Sequence, residues 1–340
     1  MQAKEQQMLD NQRFTLPWDH KEWDNKVTDW ISAQLAAHGL QAKRPVELLH
    51  KRLWSALAKL ETSDGILYFK ALAPHFHFEV PVSKALAEWQ PANSLRLLAS
   101  DSEQGWMLSW EAGQTLRSLT RSPEQLPHWY TLLPRYAEFQ IELASKSDQL
   151  LAWGMPDRRL QSLPALYQAL LGKDDQLLIG HEDGLSEQDY QKLQAGIGEF
   201  SQLCEQLDSY GLPVTLVHEE LHENNVLFDG ERHIFMDWSD ASVGHPFFTL
   251  IVTLRATAYW LKIDPNGPEL ARMRDAYLEP FTRFATRAQL DQAAKLALRL
   301  GMFNRALSWS NTIDVSSEEH RAENLDAVPS WLKDYLYETI

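Results

Sequence analysis

HEELHENNVLFDGERHIFMDWSD, residues 218–240, fits two incompatible motifs. His218, Glu219 and His222 match H-E-x-x-H, the zinc-protease pattern, in which two histidines one helical turn apart bind the metal. Read together with Asn225 and Asp237, the same segment matches H-x-[acid]-x-x-x-x-N followed by an aspartate. That second pattern is a catalytic loop for phosphoryl transfer.

The flanking residues decide between them. The zinc pattern needs a continuous helix, yet Gly211 and Pro213 form a turn that feeds a short β-branched run, 214–217. Glu223, Asn224 and Asn225 are poor helix-interior residues. Residues 226–228 read as a strand, Asp229 and Gly230 as a hairpin turn, and 233–236 as the partner strand. Strand, loop, hairpin and then Asp237 suits the phosphotransfer pattern. Phosphoryl transfer needs an acid to orient the attacking hydroxyl and oxygen ligands for magnesium beside the phosphates. Glu220 and Asn225 stand at the start and end of one short loop, and the hairpin delivers Asp237. Hard oxygen donors of this kind suit Mg2+ and not zinc. Glu220 and His218 are therefore the candidate catalytic residues, with His218 holding the loop by hydrogen bonds. Asn225 and Asp237 are the candidate metal ligands.

The segment resembles the aminoglycoside phosphotransferase and choline kinase superfamily, whose run is H-G-D-L-H-x-x-N-[VI]-L followed by D-W. Leu221, His222, Asn225, Val226, Leu227, Asp237 and Trp238 carry the match. The resemblance implies a two-lobed, protein-kinase-like α+β fold: a small antiparallel-sheet lobe and a larger, mainly helical lobe. It also implies ATP or GTP and Mg2+ as cofactors and a small-molecule acceptor. Two positions depart from the pattern. Glu219 stands at the family's glycine and Glu220 at its catalytic aspartate. The intrinsic acidities are close, ~4.3 for Glu against ~3.9 for Asp. The glutamate carboxylate stands one bond, ~1.5 Å, further out, and misplacement on that scale can cost about 100-fold in rate. A pocket built for the longer arm, a slow enzyme and a nucleotide-binding, pseudokinase-like protein with weak or no turnover all remain open.

A kinase-like small lobe also needs a lysine on its third strand and a glutamate on the following helix to hold it. Residues 46–49, 55–60 and 66–70 read as three strands, with a hairpin turn at Ser63, Asp64 and Gly65 and Lys70 ending the third. A helix is expected over 78–89, with Pro81 in its first turn. Glu79 is the expected partner of Lys70, with Glu88 as the fallback, and the pair forms the candidate nucleotide-binding site. Residues 95–99 and 105–110 complete the sheet as a hairpin. No G-x-G-x-x-G lies over the phosphates; Lys51 to Ser55 occupy that place. Gly113 marks the expected boundary. Residues 1–112 would form an N-terminal helix and the nucleotide-binding small lobe, and 113–340 the catalytic and acceptor-binding lobe.

Apolar periodicity predicts helices over 123–147, 160–171, 186–210, 247–262, 268–285, 287–309 and 329–338. Trp18, Trp23, Val27, Trp30, Ile31 and Leu35 share one face of an N-terminal helix ending near Gly39, which predicts packing on the small lobe or a dimer contact. The chain is long enough, at 340 residues, to bury a two-lobed core. Its one cysteine, Cys204, allows no intramolecular disulfide and suits helix packing in a reducing cytoplasm. Residues 1–20 are polar, unlike a signal peptide, and no apolar run is long enough to span a bilayer. With 47 acidic against 32 basic residues the net charge is −15. That disfavours nucleic acid as a partner. It suits either simple solubility or a cationic acceptor such as an amine or aminoglycoside. A monomer and a homodimer are both compatible with the sequence.

Overall fold

The structure, a computed structural model, describes residues 16–315 and 323–338. The polar N-terminal stretch read against a signal peptide lies mostly outside the described residues. The chain divides into two compact units. The first contains the described residues up to Gly113 together with Leu227–Ser239. The second contains Gln114–Val226, Asp240–Asp314 and residues 323–338.

In the first unit the order is α1 (Trp23–Ala37), β1 (Glu47–Lys51), β2 (Ser55–Thr62), β3 (Gly65–Leu72), α2 (Glu79–Trp89), β4 (Leu97–Asp101) and β5 (Trp106–Trp110). The strands form an antiparallel sheet ordered β1-β2-β3-β5-β4. Alternation along β3 sends Phe69 and Ala71, both buried, to one face and Lys70 to the other. The buried stripe of α1, made of Trp23, Val27, Ile31 and Leu35, follows helical spacing. Trp30 stands 5.9 Å from Phe69 and 5.6 Å from Trp106, ring centre to ring centre. The N-terminal helix thus packs on the small-lobe sheet, the first of its two expected roles. Trp30→Ala is expected to cost about 2–3 kcal/mol, below the full Trp deletion range because the side chain is only half-buried. Urea denaturation measures it, and a loss under ~0.5 kcal/mol would contradict the packing role.

Each strand lies within two residues of its sequence-based position. The fourth moves furthest, from 95–99 to Leu97–Asp101, because Asp101 closes the hairpin. Its carboxylate accepts the N–H groups of Glu103 and Gln104, both at 3.0 Å, so pairing with β5 continues to Asp101. A second hairpin, Val226–Phe228 with His233–Phe235, turns at Asp229 and Gly230 as expected. Asp229 accepts the N–H groups of Arg232 at 2.8 Å and Glu231 at 3.0 Å. These donors hold its carboxyl down to about 2. Gly113 has φ +102°, and a Cβ there would stand 2.2 Å from the Phe228 carbonyl oxygen. Only glycine fits that approach.

The second unit is mainly helical: α3 (Pro127–Leu143), α4 (Leu163–Leu171), α5 (Glu187–Ala195), α6 (Ile197–Asp208), α7 (Thr249–Leu261), α8 (Pro268–Leu278), α9 (Arg287–Asp314) and α10 (Ala327–Tyr337). Tyr167 of α4 packs 4.4 Å from Phe200 of α6 and 4.9 Å from Phe303 of α9. Two predicted helices end early. The run 186–210 breaks into α5 and α6 at Gly196, a weak helix former, and Tyr167 there donates its hydroxyl to the Leu193 carbonyl. The run 268–285 leaves α-helical geometry after Leu278 because Pro280 cannot continue the backbone ladder. Cys204 is buried in α6, where burial pushes its thiol up to about 12, so it packs as an apolar side chain. No described helix is long and apolar enough to cross a membrane.

Candidate functional site

In the first unit, Lys70 lies between two carboxylates. Its Nζ is 2.7 and 2.8 Å from the two oxygens of Glu79 and 2.7 Å from Asp237 Oδ1. β3 fixes the lysine, the first turn of α2 fixes Glu79, and the hairpin delivers Asp237. Glu88, the fallback partner, is exposed at the far end of α2. Burial alone would lower the Lys70 pKa. The charges of Asp237 and Glu79 outweigh burial and raise its pKa, so the group stays cationic. Glu79 is buried to 2% exposure, whereas Asp237 remains 37% exposed. Asp237 also holds φ at +66°, a conformation unusual outside glycine. Backbone strain of that kind concentrates at functional sites. Ser239 steadies the carboxylate by donating its hydroxyl to Oδ1 at 3.0 Å.

In the second unit, residues 218–225 form a loop between strands Thr215–Val217 and Val226–Phe228 and not a helix. Helices hold its backbone from outside. The His218 N–H donates to the Tyr136 hydroxyl of α3 at 2.9 Å. The hydroxyls of Thr249 and Thr253 of α7 donate to the carbonyls of His218 and Leu221, each at 2.8 Å. Inside the loop, His218 Nδ1 accepts the Glu220 N–H at 3.2 Å, and Asn225 Nδ2 donates to the Glu220 carbonyl at 3.0 Å. His218, Glu220 and Asn225 are thus brought together by short-range bonds, and His218 is fully buried. The H-E-x-x-H geometry fails because the loop has no helical turn to align the two histidines. Among the described residues no three His, Cys, Asp or Glu side chains converge to bind a metal ion.

Sequence reading missed the partners of the two glutamates. Arg305 of α9, 5% exposed, makes an ion pair with Glu220 Oε1. The other oxygen, Oε2, is 3.3 Å from His222 Nε2. Burial would raise the Glu220 carboxyl, but Arg305 and His222 outweigh it and hold it below the ordinary glutamate value. Glu219, 1% exposed, accepts hydroxyls from Ser242 at 2.5 Å and Ser308 at 2.7 Å. A cation beside Asn304 within the mostly apolar run Leu300–Leu307 was the available signal, but nothing in the sequence connected it to a loop 85 residues away.

The first unit thus holds a lysine cradled by two carboxylates, and the second an acid–amide loop hung from helices. The phosphotransferase enzyme family model matches residues 34–292, and the chain belongs to that family. Solved structures agree on the fold. Plasmodium vivax ethanolamine kinase superposes with a TM-score of 0.60 at 13% identity, covering 88% of this chain and 83% of that one. Choline kinase from Cryptosporidium parvum gives 0.57 at 13% identity, covering 86% and 88%. A macrolide 2'-phosphotransferase type I gives 0.55 at 16% identity, covering 90% and 96%. At these identities the likeness establishes the kinase-like α+β fold, a small antiparallel-sheet lobe with a larger helical one. No curated protein sequence matches the chain.

Proposed function

We propose that this protein transfers the γ-phosphoryl group of ATP, or GTP, to a hydroxyl of a small molecule. The observation that carries this reading is Lys70 bonded at once to Glu79 and Asp237. A lone surface lysine needs no such arrangement, whereas a phosphate-gripping lysine needs a fixed tip and a retained charge. In this reading the first unit holds the nucleotide and the second the acceptor. Lys70, positioned by Glu79, binds the phosphates, and Glu220 orients the acceptor hydroxyl on a loop that His218 helps to hold.

Asp237 and Asn225 are the ligands proposed for Mg2+. Their chemistry fits: Asp237 offers a partly exposed carboxylate, and Asn225 has its Nδ2 tied to a carbonyl, which leaves Oδ1 as the donor end. Mg2+ keeps several waters and takes few protein ligands beside substrate phosphates. The ion, when bound, offsets charge building on the phosphate oxygens.

The acceptor classes in the relatives' names are amino alcohols and an antibiotic. A cationic amine alcohol fits the net charge of −15, which solubility alone would also explain. A cytoplasmic setting supplies nucleotide and keeps the single cysteine reduced. A second reading, nucleotide binding with little turnover, is favoured by one observation: Arg305 already occupies an oxygen of Glu220. ADP formation from MgATP, measured with amino-alcohol acceptors present, separates the two.

Lys70→Met tests the phosphate grip. MgATP affinity measured by calorimetry should fall about tenfold or more, the loss of a charge-assisted bond; an unchanged Kd would move the phosphate site elsewhere. The same variant leaves Glu79 buried without its cation, at a cost of about 3–5 kcal/mol of stability. The sign of its pH dependence follows. Burial raises the folded-state pKa of Glu79, so protonation relieves the cost. The variant should therefore be most stable at acid pH and lose stability as pH rises through that pKa.

A further inference from the structure

The two positions that depart from the family pattern, Glu219 and Glu220, are both gripped by one face of α9. Arg305 pairs with Glu220, and Ser308, three residues on and therefore on the same face, donates to Glu219 Oε2 at 2.7 Å. Ser242 takes the other Glu219 oxygen at 2.5 Å. Both Glu219 oxygens are consequently bonded where glycine would have left space. Arg305 is nearly as buried, and a cation in that setting persists only with a well-placed counter-charge. The arrangement also distinguishes the two oxygens of Glu220. Oε1 is taken by Arg305, while Oε2 faces His222 Nε2. His222 Nδ1 accepts the Asn224 N–H at 3.2 Å, so in the neutral ring the proton sits on Nε2, which faces Oε2 at 3.3 Å. A carboxylate oxygen accepts two hydrogen bonds, so Oε2 has room for one more.

We propose that Arg305 and Ser308 form a two-point clamp on the catalytic loop, with Arg305 a positioning residue that draws the longer Glu220 arm toward α9 and presents Oε2 to the acceptor hydroxyl. Ser308 fixes the neighbouring residue, so the loop cannot rotate about the Glu219–Glu220 peptide. The clamp makes glutamate the residue this loop is built for. It rests on the phosphotransferase reading for its catalytic consequence, but the clamp itself is a property of the loop and can be read without turnover.

The test compares full-length Arg305→Gln, Arg305→Lys, Arg305→Ala and Ser308→Ala with the parent protein, using hydrogen exchange of the 219–225 amides, MgATP affinity and ADP formation from MgATP with an amino-alcohol acceptor present. Arg305→Gln should speed exchange of the loop amides about tenfold or more, the opening expected when a local hold worth over ~1.4 kcal/mol is lost. It should cut turnover about 100-fold while leaving the MgATP Kd within about twofold, since misplacement acts on the transition state. Arg305→Lys should recover part of the turnover, and added guanidinium should raise the rate of Arg305→Ala about tenfold. Ser308→Ala, which removes one hydroxyl and endangers the fold least, should show the same pattern weakened. Unchanged exchange in both Arg305→Gln and Ser308→Ala overturns the clamp whatever the activity. Faster exchange with parental turnover, or lost turnover that neither lysine nor guanidinium restores, reduces Arg305 to an ordinary structural pair and overturns its positioning role. A parent protein that binds no nucleotide overturns the phosphotransferase reading instead, and the exchange measurement still decides the clamp.

Discussion

Asp237→Ala is expected to reduce magnesium-dependent ADP formation from ATP by about 1000-fold. Charge stabilisation by a bound Mg2+ is worth several kcal/mol, and each ~1.4 kcal/mol is a factor of ten. The fold should survive the change. Asp237 is 37% exposed, so its ion pair with Lys70 contributes little to stability, and Glu79 still holds the lysine. Alanine does, however, lose the local tolerance for the left-handed backbone at φ +66°, at about 1–2 kcal/mol. Asp237→Asn removes that ambiguity, because asparagine accepts the conformation and matches the shape while losing the charge. Its melting temperature should stay close to the parent value while turnover falls as in the alanine variant. Parental turnover in Asp237→Asn would remove Asp237 from the site.

Glu220→Asp is the second large effect, and its sign carries the information. Aspartate is the residue that the family pattern has at this position, so sequence alone leaves room for a gain of activity. The structure points to a loss. The carboxylate retreats ~1.5 Å from Arg305, a cation whose 5% exposure leaves it dependent on this partner. A turnover decrease of about 100-fold is expected from the misplacement. Stability should fall by about 3–5 kcal/mol if the buried pair breaks completely. Glu220→Gln keeps the length and removes the charge, and should cost about 100- to 10,000-fold if Glu220 is the general base. A rise in MgATP turnover for Glu220→Asp would instead mean a handicapped loop with weak native turnover.

Much of the first unit was legible because its signals are local. Lys70 follows a hairpin turn at a fixed distance, and period-two alternation assigns its face. Glu79 was readable from the helix start, since a kinase-like lysine demands a carboxylate there. The hairpin before Asp237 announced itself through Asp229 and Gly230. The loop 218–225 was legible as a loop because asparagines and a following strand deny it a helix. Arg305, Ser308 and Ser242 were not legible. Their contacts span 85, 89 and 23 residues, and a polar residue in a helix or a short strand does not declare its partner. The breaks at Gly196 and Pro280 are the opposite case: the local breakers stand in the sequence, but apolar periodicity runs on past them.

The most direct test of the nucleotide site on which the account rests is a thermal-shift titration of the chain with ATP and with GTP, each with and without Mg2+, and with Zn2+ alone. A ligand that binds the native state raises its melting temperature by mass action. The phosphotransferase account requires a nucleotide shift that grows with Mg2+ and is lost in Lys70→Met. No nucleotide shift, or a shift with Zn2+ alone, would contradict it.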